Sequence, residues 1–259
     1  MTTSAPTTTS AKKTTIDTIV YLVRGERIAT VARTVVLPAS SSGSRADVIA
    51  AQIAALAQGP TSDETALGFS SAVPAVTMVR SIAITDTTAN IDLSSGFASG
   101  GGSLSMTLRW TQLVYTVTSN TGIAGVSLSI DGQPTTALGG EGLMIGSPQT
   151  RADLELTDAV PLILVESPLP FAAISSPLHL TGSSNTFEAT ARILVTASDG
   201  TVMLDTNFMA SCGTGCRGTF DERFSLSSKS AGPATVTVYE SSPKDGEPIN
   251  VVTFPVTVT

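Results

Sequence analysis

The chain has 259 residues, enough for two ordinary domains that can each bury a core without help from a metal or cofactor. Only 14% of residues are charged, the net charge is −7 and the pI is near 4.6. Lys and Arg form no cluster, which argues against nucleic acid or an anionic membrane surface as a partner. No apolar run reaches bilayer-spanning length, and the dominance of Thr, Ser, Ala, Val and Gly is that of a strand-rich fold.

Residues 1–15, MTTSAPTTTSAKKTT, lack the hydrophobic centre of a signal peptide and read as a disordered Thr/Ser-rich linker. Such a stretch suits the spacer between a removed N-terminal anchor and a folded domain, and that anchor would be the only route to a membrane. Thr18 to Arg24 then reads as a strand, Gly25-Glu26 as its turn and Ile28 to Leu37 as its hairpin partner, ended by Pro38. Ser44 and Asp47 offer a capping-box start to a helix whose apolar positions run Val48, Ile49, Ile53 and Leu56, and Gly59-Pro60 stops it. A polar loop with Asp63 and Glu64 is expected next, followed by paired strands at Val76 to Thr85 and Thr88 to Leu93, turned at Asp86-Thr87.

The stretch from Ile91 to Thr118 changes character twice. A short strand over Ile91 to Leu93 passes into glycines at 96 and 100–102, and helical spacing begins at Ser103, the expected N-cap. Met106, Trp110, Leu113 and Val117 form one apolar row with Leu104, Leu108 and Tyr115 beside it, and Arg109 is the lone charge. Val126 to Ile130 alternates and turns at Asp131-Gly132; a glycine-rich connection follows at 139–142. Hairpin strands with two amphipathic helices predict an α+β domain over residues 16–156, a mixed sheet with both helices packed on it.

From residue 157 to the end the helical period is gone. Strand-like runs follow one another at Leu162–Glu166, Leu178–Ser183, Phe187–Ser198, Val202–Ala210, Thr219–Leu226, Ala234–Tyr239 and Val251–Val258. About seven short strands in about a hundred residues predict an immunoglobulin-like β-sandwich over 157–259, without the Cys…Trp…Cys core of antibody domains. The two cysteines, Cys212 and Cys216, lack redox C-x-x-C spacing and have no partner pair for zinc. In an exported protein they are expected to form a disulfide; the alternative is a pair of inert thiols.

Several ordered segments, VYLVRGERIATVARTV, VPAVTMV, ANIDLSSGFASGGGSLSMTLRWTQLVYTVT and GVSLSIDGQPTTALGGEGL, closely resemble the GerMN domain, the sporulation and spore-germination M domain. ESPLPFAAISSPLHLTGSSNTFEATARILV, SCGTGC, GTFDERF and YESSPKDGEPINVVTFPV are similar to the immunoglobulin-like domain that accompanies it in germination-associated proteins. The resemblance implies a protein outside the cytoplasm, usually lipid-anchored at the cell envelope, without known catalysis, and able to associate with itself.

Reactive groups are sparse. Gly100–Gly102 before a helix invites an anion, but the P-loop lysine is missing and G-x-G-x-x-G is not formed, so the glycines read as conformational. His179 is the single histidine; if Leu178 and Leu180 face the core it points outward, a surface side chain rather than a general base. Asp153, Glu155 and Asp158 at the domain junction, and Asp245 and Glu247 in a turn, do not have calcium-loop spacing. Glu188, placed in a long strand, is expected to pair with Arg192 or Arg223. No catalytic, cofactor or metal residue is assigned. The expected function is a non-enzymatic envelope scaffold or interaction module, its partner an envelope protein or a second copy. The alternative is a binding module for cell-wall glycan, for which Tyr239 and Phe171 are the available aromatics.

Overall fold

A computed structural model describes residues 14–37, 41–119, 121–140, 142–146, 148–227 and 231–259. Most of the expected N-terminal linker, Pro38 and Glu141 lie outside these residues.

The first domain runs β1 (Thr15–Arg24), β2 (Arg27–Val36), α1 (Arg45–Gln58), α2 (Ser62–Ala66), β3 (Phe69–Ser70), β4 (Val79–Thr85) and β5 (Thr88–Leu93). A 3-10 turn at Ser95–Ala98 leads into α3 (Ser103–Val117), then β6 (Gly125–Ile130), β7 (Gln133–Thr135), β8 (Ala137–Leu138), β9 (Leu143–Met144) and β10 (Gln149–Thr150). The strands make a sheet ordered β2-β1-β3, a second ordered β10-β6-β5-β4 with β7 beside β6, and a small β8-β9 pair. β5 and β6 are parallel, and a parallel pair needs a crossover, which α3 supplies.

β1 and α3 form the centre. Val20, Tyr21 and Leu22 of β1 are fully buried, as are Leu113, Val114 and Val117 of α3. β3 pairs with β1 only at Val23 and Arg24, which leaves the Tyr21 backbone without a strand on that side. Polar side chains of α3 fill the gap: Thr116 Oγ1 accepts from Tyr21 N at 3.0 Å and Gln112 Nε2 donates to Tyr21 O at 2.8 Å. A helix buried on nearly all sides therefore carries Thr and Gln where an apolar stripe alone would leave buried peptide groups unsatisfied.

The capping box at α1 forms as expected, Ser44 with Asp47, and Asp47 is held down at about 2 by hydrogen bonds from Ser41 and Ser44. Four expectations change. The N-cap of α3 is Gly102, so Ser103 is already its first helical residue. Leu104 is 44% exposed and borders a surface hollow with Val23, Gly25 and Ser70. The strand expected from Val76 starts at Val79. The loop of Asp63 and Glu64 is α2, capped by Thr61 and Glu64 in a second capping box.

The second domain runs β11 (Ile163–Ser167), β12 (Ala173–Ile174), β13 (Leu178–Ser184), β14 (Thr190–Ala197), β15 (Val202–Met209), β16 (Gly218–Phe224), β17 (Gly232–Ser241) and β18 (Pro248–Val258). Two sheets, β11-β13-β16 and β12-β18-β17-β14-β15, close on Leu180, Ile193, Val195, Val236 and Val238, all fully buried. Phe208 meets Phe220 edge-on at 4.9 Å. Phe187 and Glu188 leave the strand expected there: they form a 3-10 turn, with Glu188 at φ 53. Val160 and Leu164 pack in the first domain's core, so the junction near residue 157 is shared rather than a free linker.

Candidate functional site

Four elements converge where the domains meet. β1 supplies Tyr21, α3 supplies Tyr115, the turn after β10 supplies Arg151, and β11 supplies Glu166. The Arg151 guanidinium lies 5.1 Å and 4.8 Å from the ring centres of Tyr21 and Tyr115. Its Nη1 donates to Glu166 Oε1 at 2.8 Å, its Nη2 to Tyr115 O at 2.8 Å and its Nε to Thr118 Oγ1 at 2.8 Å. Tyr21 Oη donates to Glu166 as well.

Burial drives the Tyr21 phenol far above its ordinary range, with Glu166 adding to the rise and Arg151 opposing it. Burial works against the Arg151 charge, but the Glu166 carboxylate and the hydrogen bonds to Glu166 and Tyr21 outweigh it and hold the guanidinium above its usual value. Tyr115 is pushed up to about 12, chiefly by burial. Both phenols are thus kept neutral, suited to donating and stacking rather than to abstracting protons. The cluster holds β11 of the second domain against β1 and α3 of the first.

Other contacts extend this seam. Thr30 Oγ1 donates to Val165 O at 2.5 Å, Ile28 N to Ala159 O at 2.8 Å, and Arg24 Nη1 to Thr253 O at 2.6 Å. From the second domain, Arg217 reaches back to Pro161 O at 2.6 Å and Glu155 O at 3.1 Å. Between these fastenings lies a cleft of about 530 Å³, bordered by Arg24, Arg27, Ile28, Phe69, Leu162 and Val251 and, among the described residues, by no acidic one. Further along β2 a wider hollow of about 850 Å³ runs past Arg33, Glu64 and residues 166–179. Arg33 Nη2 and Glu64 Oε2 are 2.6 Å apart there; burial would raise the Glu64 carboxyl, but hydrogen bonds from Arg33 and Thr61 lower it on balance.

The residues singled out in the sequence stay apart. His179 sits on the rim of the wider hollow, its Nε2 2.6 Å from Asp221 Oδ1, while Leu178 and Leu180 are buried as alternation requires. Arg109 is only 3% exposed and donates to carbonyls of Ala72, Phe97, Ser99 and Gly100. It thereby fixes the glycine loop, whose Gly100 and Gly101 take φ values of 62 and 90. Cys212 and Cys216 are joined, with Cα atoms 5.9 Å apart. Asp153 accepts from Thr150 N at 2.7 Å and the Asp245 carboxylate from Glu247 N at 3.3 Å, both local turn bonds.

Glu188 does not pair with Arg192 or Arg223: Arg192 meets Asp205 at 2.6 Å and 2.7 Å, and Glu188 is turned out of that strand. Phe171 is 46% exposed on the wider hollow, and Tyr239 is half-buried opposite Arg192. Among the described residues no group of three or more His, Cys, Asp or Glu converges, and no helix is long and apolar enough to cross a membrane. Sequence reasoning missed Tyr21, Arg151 and Glu166. Tyr21 and Glu166 are 145 residues apart, so no local pattern pointed to their meeting.

Residues 19–136 match the family described as sporulation and spore germination, Germane. Residues 162–247 match Gmad2, the immunoglobulin-like domain of bacterial spore germination. No curated protein matches the chain. Among solved structures, the tandem GerMN domains of the sporulation protein GerM from Bacillus subtilis share 19% identity over 83% of this chain, with a TM-score of 0.44. The chain covers 63% of that protein's length. The first GerMN domain of the same protein shares 24% identity over 52% of this chain and 98% of its own, with a TM-score of 0.41. A candidate lipoprotein from Clostridium perfringens shares 21% identity over 56% of this chain and 95% of its own, with a TM-score of 0.38. The chain therefore joins a GerMN domain of the sporulation and spore germination family to the immunoglobulin-like domain of bacterial spore germination.

Proposed function

We propose that this protein is a non-enzymatic scaffold or protein-interaction module of the cell envelope, held outside the cytoplasm. Neither family is a known enzyme family. The observation that carries the reading is the use to which the junction puts its polar groups. Arg151, Glu166 and Tyr21 spend their hydrogen bonds on one another and on backbone, which fixes two domains as one body without leaving a poised acid, base or nucleophile. Large apolar side chains remain outside: Met144 is 72% exposed, Met78 67%, Val76 65% and Leu156 62%. Exposed apolar surface favours protein contacts. The Cys212–Cys216 disulfide accords with an oxidising compartment.

Two measurements test this. Light scattering across concentration is expected to show self-association, or a stable complex once an envelope partner is added. Sedimentation with purified peptidoglycan is expected to show no saturable retention. Saturable retention by a strict monomer would replace the scaffold with a glycan-binding module.

A further inference from the structure

Three strands leave an edge open at the interdomain cleft. β2 and β11 are the outer strands of their sheets, and β12 covers β18 only at Thr257 and Val258. Along β18, Pro255 O accepts from Phe171 N at 2.7 Å and Thr257 N donates to Ala172 O at 2.9 Å. The odd-numbered backbone groups of β18 therefore face away from β17. Thr253 has the same parity, and its carbonyl is taken by Arg24 at 2.6 Å. In an antiparallel ladder the amide and carbonyl of one residue point to the same side, so the Thr253 amide opens into the cleft.

The charged side chains that line the cleft are both basic, Arg24 and Arg27, with Glu26 in the turn between them outside the lining. Arg24 and Arg27 are cross-strand partners, and neither has a carboxylate partner among the described residues. Arg24 is steadied by the Phe69 ring, 5.6 Å from its guanidinium carbon, while Arg27 is exposed. On a chain of net charge −7, two unpaired guanidiniums beside an apolar hollow without acids form a local complement to a carboxylate.

We propose that the cleft is a slot for an extended peptide segment of a protein partner. The segment adds to the open edge of β18 at Thr253, where the ladder with β17 is still regular, places a carboxylate against Arg24 and Arg27, and lays an adjacent apolar side chain on Phe69 and Leu162. Main-chain pairing supplies affinity and the flanking side chains supply selectivity, as in other strand-addition interfaces. At about 530 Å³ the hollow accommodates a short motif. This inference rests on the interaction-module reading and specifies the partner's chemistry.

The test is to pan random short peptides against the full chain and measure the enriched ones by fluorescence anisotropy. Enrichment of an acidic residue next to an apolar one is expected, with binding weakened by salt. Arg27→Glu, at an exposed side chain, is expected to reduce affinity at least about tenfold with an unchanged circular dichroism spectrum. Val251→Ser, which trims apolar lining without adding charge, is expected to weaken it independently, and bound peptide is expected to slow hydrogen exchange of the Thr253 amide. Failure to enrich any peptide, or peptides that bind Arg27→Glu as tightly as the parent, would overturn the slot. So would saturable binding of dodecanoate without peptide enrichment, which would mark a site for small amphipathic anions. Failure here with the association found by light scattering intact removes the slot alone; failure of both removes the interaction module.

Discussion

Arg109 and Arg151 both hold a guanidinium away from bulk water, and their partners differ in kind. Arg109 faces four backbone carbonyls and no carboxylate, so burial pulls its pKa down and its task is to shape a loop. Arg151 faces a carboxylate and two phenol rings, so its charge is compensated and its task is to join domains. The sequence marked Arg109 as the lone charge of a buried helix, but its partners lie in loops whose path no local pattern encodes. Tyr115 allows a direct check of the cluster. Its folded value of about 12 exceeds the ordinary 10.0, so it contributes stability that is fully present below pH 10.0 and lost as pH rises through about 12. Tyr115→Phe keeps the ring against Arg151 and removes the ionisable group. Its urea-unfolding stability should fall less steeply in that alkaline window, by roughly 1.4 kcal/mol per pH unit, and an unchanged slope would exclude Tyr115 as a titrating group.

Elements with local punctuation were legible to within a few residues. The β1–β2 hairpin follows from two apolar runs around Gly25-Glu26, and α1 from a capping box and a terminal glycine. α2 was missed because a five-residue helix gives no periodicity; Thr61 and Glu64 did carry a capping-box signature, which forms in full, and Arg33 adds an ion pair to Glu64 from β2. The glycine loop shows how a correct element can still be misread at its end. Gly101 has φ +90, and a Cβ there would lie 2.6 Å from Ser105 Oγ. Gly101→Val should therefore cost on the order of 2 kcal/mol in denaturant unfolding. The disulfide belongs to this scale too. Within its loop Gly213 lies so close to the turn at 186–189 that a Cβ would meet Ala189 N at 2.4 Å. Reduction should lower the unfolding free energy by roughly 2 kcal/mol, the chain-entropy value for so short a loop. Hydrogen exchange by local opening should rise at residues 185–189 and 212–216, while amides of either domain that exchange only through global unfolding should lose the same protection.

At the scale of the molecule, composition and strand spacing were enough to divide the chain into an α+β domain and a sandwich, because each half obeys its own period. How the halves are fastened was not legible, since the fastening depends on pairs such as Tyr21 with Glu166 and Arg24 with Thr253, 145 and 229 residues apart. These fastenings should make unfolding cooperative across the junction. Trp110, the only tryptophan, is buried in the first domain and reports on it alone, whereas far-ultraviolet circular dichroism follows both. In the parent chain the two thermal transitions should coincide. Arg151 holds the junction from the first domain and Arg217 from the second, and their hydrogen bonds share no partner. The double variant Arg151→Met, Arg217→Met leaves each hydrophobic core intact but removes both guanidiniums from the seam, so the tryptophan and dichroism transitions should separate. Continued coincidence in that variant would show that the remaining seam, the bonds of Tyr21 with Glu166, Thr30 with Val165 and Arg24 with Thr253 and the apolar contacts of Val160 and Leu164 with the first core, suffices to couple the domains.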